Sequence, residues 1–62
     1  MKFKENDLYV NANGVECLVL DVCNNEYDKR NYVFVKFSGD YKEIPEDSLA
    51  NLLTFNGYKK VN

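Results

Sequence analysis

Tyr32-Val33-Phe34-Val35-Lys36-Phe37-Ser38-Gly39-Asp40-Tyr41-Lys42-Glu43-Ile44-Pro45 holds two alternating apolar runs parted by a Ser-Gly-Asp turn. Side chains alternate between two faces along an extended chain. Val33, Val35 and Phe37 therefore share one face, and Tyr32, Phe34 and Lys36 share the other, which predicts a strand over 32–38. Ser38-Gly39-Asp40 carries the residues of a tight turn. Tyr41 to Ile44 resumes as a short strand, cut off by Pro45, which has no N–H to give to a ladder. Two strands joined by so short a turn form an antiparallel hairpin, so the chain is read as mainly β.

Upstream, the same alternation continues. Val15 to Cys23 is the most apolar segment and predicts a second strand. Leu18, Leu20 and Val22 would form one face, with Val15, Cys17, Val19, Asp21 and Cys23 on the other. The polar run Asn24 to Asn31 is a loop. Asp7 to Ala12 predicts a first strand, tied to the second by a turn at Asn11-Ala12-Asn13-Gly14, where Asn-Gly supplies positive φ.

Downstream of Pro45 two readings compete. Pro45-Glu46-Asp47 suits the first turn of a helix, Leu49, Leu52 and Leu53 have helical spacing, and Gly57 could stop it. Alternatively a single 3₁₀ turn over 45–48 leads to a fifth strand over 50–55, and Asn56-Gly57 turns into Tyr58 to Val61. The second reading is favoured, because a four-strand meander leaves two edges that a fifth strand can close.

With 62 residues there is room for one domain, 1–62. A domain of this size buries only about 60% of the surface its unfolded chain exposes. Five Tyr, four Phe and a hydrophobic fraction of 45% are too apolar for a disordered chain. A net charge of −2 argues against non-specific binding to phosphate backbones. Lys29-Arg30 and Lys59-Lys60 are the only basic pairs and read as solvated loop and terminus. No apolar run approaches the roughly 20 residues that span a bilayer, and no secretory pattern is visible, so the expected location is cytoplasmic, with no membrane partner. Cys17 and Cys23, about 20 Å apart on one extended strand, are expected as reduced, small apolar residues.

Chemistry is scarce. There is no His to act as a general base. Ser38, Ser48 and Thr54 have no base in prospect. Two cysteines without His are too few for a structural zinc site. The expectation is a non-enzymatic chain with no cofactor and no metal.

The run Tyr32 to Leu49 resembles the second half of a Tudor domain, in the SH3-like barrel class. There a V-x-V-x-F strand leads to a turn near Asp-Tyr, a short strand carrying a Glu, a one-turn helix, a Leu and the closing strand. The resemblance covers about Asp7 to Leu53 and implies a small five-stranded SH3-like barrel. Carried over by position, the family's methyl-reading aromatic cage falls on Asn11 or Ala12, Cys17, Phe37 and Asp40-Tyr41. At best two of these four positions offer a ring, and Lys42 replaces the Gly after the Tyr. The resemblance thus implies the fold and not a cation-holding cage. The tight first hairpin also lacks the long acidic loop with which signalling SH3 domains grip proline-rich peptides.

If Leu8, Val10, Leu18, Leu20, Val22, Val33, Val35, Phe37, Ile44, Leu49 and Leu52 fill the core, alternation leaves Tyr9, Cys17, Val19, Tyr32, Phe34 and Tyr41 facing outward. Such an apolar, aromatic patch often marks an interaction site. The expected function is binding of a protein partner, or of a second copy as a homodimer, through Tyr9, Val19, Tyr32, Phe34 and Tyr41. The alternative is that Phe55 and Tyr58, or Phe3, fold over this face. A different class of partner is single-stranded nucleic acid, with Tyr32, Phe34 and Tyr41 stacking bases and Lys29, Arg30, Lys36 and Lys42 meeting phosphates. A third reading is a phage or mobile-element accessory protein acting on a host factor.

Overall fold

A computed structural model describes residues 2–62. The chain forms β1 (Leu8–Val10), β2 (Glu16–Asn25), β3 (Arg30–Phe37), β4 (Asp40–Pro45), α1 (Glu46–Phe55) and β5 (Lys59–Lys60). All pairings are antiparallel, in one sheet of order β4-β3-β2-β1-β5. The sheet is open, with β4 and β5 as its edges. Among the described residues no helix is long and apolar enough to cross a membrane.

The central hairpin forms as its sequence predicts. Phe37 pairs with Asp40 across the two-residue turn, whose Ser38 and Gly39 both take positive φ, 45° and 97°. That is the twist-matched turn of a right-handed hairpin. Pro45 closes β4 opposite Tyr32. It is tolerated there because β4 is an edge strand. At the first hairpin, only Gly14 takes positive φ (79°), and Asn13 does not. The Asn11 side chain holds that loop instead, its Oδ1 accepting from the amides of Asn13 and Val15, both at 2.9 Å.

The two faces of β2 are the reverse of the expectation over its first half. Cys17 and Val19 are fully buried, whereas Leu18 and Leu20 are only half-buried. The inner face is set by pairs across the ladder, Cys17 with Phe37, Val19 with Val35 and Val22 with Val33. Between Val19 and Asp21 the register shifts by one residue at Leu20. This bulge changes the parity of the strand. Cys17 and Val19 on one side of it, and Val22 on the other, thereby reach the same core.

The segment after Pro45 is a ten-residue helix, not a turn followed by a strand. Both ends carry helical signals. Glu46 and Asp47 complement the N-terminal dipole. At the other end Gly57 takes φ 68°, its amide donates to the Thr54 carbonyl, and the Tyr58 amide donates to the Leu53 carbonyl at 2.9 Å. These are the paired bonds of a glycine-ended Schellman cap. Leu49 and Leu53, one turn apart, are buried against the sheet. Leu52, expected in the core, is only partly buried. A strand over 50–55 would have divided the leucines between two faces. The strand that pairs with β1 is therefore β5, through Tyr9 with Lys60 and Val10 with Lys59.

Phe3 completes the core. It is 5% exposed and meets the Tyr9 ring edge-on at 5.8 Å. Tyr58 meets Phe37 in the same way at 6.0 Å. The termini are pinned through Asp7, which is buried, accepts from the Lys4 amide at 3.0 Å and pairs with Lys60 at 3.5 Å.

Candidate functional site

Three things cover the inner face of the sheet: α1, Phe3 and Tyr58. Among the described residues none of the chain's own elements covers the outer face. Its side chains lie in rows set by the register. Leu8, Leu18, Lys36 and Tyr41 stand opposite one another on successive strands. The next row is Asp21, Phe34 and Glu43, and the one beyond it is Cys23, Tyr32 and Pro45. The bulged Leu20 stands between the first two rows, and with Phe34, Tyr41 and Glu43 it lines an open recess of about 230 Å³. A second open recess, of about 410 Å³, runs along Leu8, Leu18 and Lys36 toward the Ser38-Gly39 turn.

The structure divides the five residues expected on one outward face. Phe34 and Tyr41 lie on it, 38% and 71% exposed. Tyr32 lies on it, half-buried, its hydroxyl donating to Asp28 Oδ2 at 2.6 Å. That bond raises the Tyr32 phenol and lowers the Asp28 carboxyl from their ordinary values. The Arg30 guanidinium stands 6.0 Å from the Tyr32 ring centroid. Val19 is not on the outer face. It is fully buried opposite Val35, because the parity of β2 before the bulge points it under α1. Tyr9 is also on the inner side, opposite Cys17 and against Phe3. Burial is the main cause that raises its phenol, with the nearby Asp7 charge second.

Leu8, Leu18 and Leu20 stand on the outer face in their stead. Sequence patterning could not find them. β2 is apolar on both sides, and nothing in its residue order marks where an extra residue enters the ladder. Phe3 was legible as a cover, since it is a lone apolar residue between Lys2 and Lys4. It packs on the inner face rather than the outer one. Phe55 covers neither face and is 87% exposed.

The face has little chemistry beyond contact. Lys36 Nζ lies 5.5 Å from the Tyr41 ring centroid, a cation–π distance. The two rings available for a cage, Phe37 and Tyr41, stand in adjacent rows on opposite faces of the sheet, so they cannot enclose one cation. Among the described residues no cluster of His, Cys, Asp or Glu could hold a metal ion. The buried Cys17 thiol is pushed up to about 11 by burial, which keeps it protonated and unreactive at neutral pH.

No protein family, characterised protein or solved structure matches this chain.

Proposed function

We propose that this chain is a non-enzymatic interaction module, an open variant of the SH3-like barrel, that binds a protein partner or a second copy through the outer face of its sheet. One observation carries the reading. The helix, the N-terminal Phe3 and Tyr58 all pack on one side, which leaves Phe34 and Tyr41 exposed and Leu8, Leu18 and Leu20 only half-buried on the other side. Large aromatic side chains beside aliphatic ones, rimmed by charge, are the usual anchors of a protein interface. Support for the SH3-like part comes from the element order: a short first hairpin, a long second strand with a bulge, a Glu-bearing fourth strand, a helix, and a last strand returning to pair with the first.

Replacing Phe34 and Tyr41 together by Ser tests the reading. Both are exposed, so the far-ultraviolet circular dichroism should be unchanged, while cross-linking to a partner, or self-association in sedimentation, should be lost. Association that persists at wild-type strength would remove the face from consideration.

Nucleic-acid binding is the second reading, favoured by the stacking of Lys36 on Tyr41 and of Arg30 on Tyr32. Against it, Asp21 and Glu43 flank Phe34 in the same row. Binding to a single-stranded oligonucleotide at low salt, weakening steeply as salt rises, would be its signature.

A further inference from the structure

Phe34, Lys36, Tyr41 and Glu43 occupy the corners of one cross-strand square on the exposed face. Phe34 stands opposite Glu43, and Lys36 stands opposite Tyr41. One diagonal therefore joins the two aromatic rings, and the other joins a cation to an anion. All four are exposed. Among the described residues neither Lys36 nor Glu43 has an ion-pair partner.

This arrangement is complementary to itself. A second copy laid face to face, on a twofold axis along the Phe34–Tyr41 diagonal, exchanges the corners of the other diagonal. Lys36 then meets Glu43 of the second copy, Glu43 meets its Lys36, and each ring meets its own counterpart. The other diagonal as axis would set Lys36 on Lys36 and Glu43 on Glu43. The charge pattern thus selects one of the two axes. With strands about 5 Å apart and alternate residues about 7 Å apart, the axis lies about 35° from the strands, so the two sheets cross at about 70°. That falls in the orthogonal class of sheet packing.

We propose that the partner of this face is a second copy of the chain, docked as a symmetric dimer about the Phe34–Tyr41 diagonal and held in register by two reciprocal Lys36–Glu43 pairs. The inference rests on the outer face being an interaction surface. The square is small against a standard interface of about 800 Å² per partner, so the dimer is weak, forming at roughly 0.1 mM.

Sedimentation equilibrium on wild type, Lys36→Glu, Glu43→Lys and the equimolar mixture of the two variants tests it. Wild type should dimerise. Each variant alone places like charges at both contacts and should dimerise about tenfold more weakly. In the mixture every contact is again between opposite charges, so a heterodimer should form at close to wild-type strength. Circular dichroism checks that each variant is folded. Should either variant unfold, the amide shifts of wild type on dilution serve instead, and they should change at Phe34, Lys36, Tyr41 and Glu43. A wild-type chain that stays monomeric to about 1 mM overturns the dimer. So does a dimer indifferent to both charge reversals, a mixture no stronger than its components, or dilution shifts that map elsewhere. A monomeric wild type whose binding to another protein still requires Phe34 and Tyr41 would overturn this inference alone and leave the interaction face standing.

Discussion

Ser38 holds φ 45° in a turn whose neighbour is glycine at 97°. A β-carbon in the left-handed region is strained, and asparagine tolerates that region better than serine. Ser38→Asn should therefore raise stability by about 0.5–1 kcal/mol, read as a shift in urea midpoint at unchanged slope. Cys17 sets a different dependence. Its thiol ordinarily titrates at 9.0 and is held up to about 11 in the fold. The unfolded chain therefore releases this proton at a lower pH than the folded chain does. The stabilisation is complete below about 9 and is lost as pH rises to about 11. Tyr9, raised by burial, and Tyr32, raised by its bond to Asp28, act in the same direction. Urea midpoints across this range should fall more steeply for wild type than for Cys17→Ala, in which the thiol contribution is gone. Equal slopes would show that the thiol is not shielded.

At the scale of elements, β2 depends on one inserted residue. Leu20 lies between the pairs Val19–Val35 and Asp21–Phe34. Deleting it joins Val19 to Asp21 and leaves every remaining pair on its present face. Deleting Leu18 also removes the bulge without changing parity, but it brings Leu20 in place of Val19 opposite Val35 in the core. The Leu20 deletion should keep a cooperative urea transition, and the Leu18 deletion should keep one at a lower midpoint, through the larger side chain in the core. Loss of the transition in both would mean that the bend, rather than the parity, is what the bulge provides. The helix was readable in its own residues: an acidic first turn, leucines at helical spacing and Gly57 as stop. The preference for a strand came from applying an edge-closing argument to a sheet whose edge β5 closes with two residues, Lys59 and Lys60. Local signals outweigh a global argument when the segment has an acidic first turn at one end and a glycine cap at the other.

For the whole molecule, stability is shared among few residues. At roughly 0.05–0.15 kcal/mol per residue, a domain of this size has about 3–9 kcal/mol in total. The fully buried side chains are Cys17, Val19, Val33, Val35 and Leu49, with Phe3 and Leu53 at 5% exposure. Phe3 lies outside every strand and helix, yet it closes the core over Tyr9. Phe3→Ala should cost about 3 kcal/mol or more and leave a large unfolded fraction at 37 °C. Thermal unfolding checks this, and a melting temperature within a few degrees of wild type would show that the N-terminal segment is not part of the folded unit. The same packing accounts for the functional proposal. A single helix and one aromatic residue from each end suffice for one face of the sheet, and Phe34 and Tyr41 stay exposed on the other.

Alternation and turn residues alone determined the four strands up to Pro45, the Ser38-Gly39 turn, the end of β4 at Pro45, and the placement of Phe34 and Tyr41 together on one face away from Val33 and Val35. These are local properties, since period-two patterning and turn chemistry act within a few residues. Only the tertiary structure decided which side of β2 is the core, and with it the exchange of Tyr9 and Val19 for Leu8, Leu18 and Leu20 on the outer face. A strand that is apolar on both sides satisfies burial equally well in either orientation. The choice falls to the register against β3, to the bulge at Leu20, and to the face on which α1, Phe3 and Tyr58 settle.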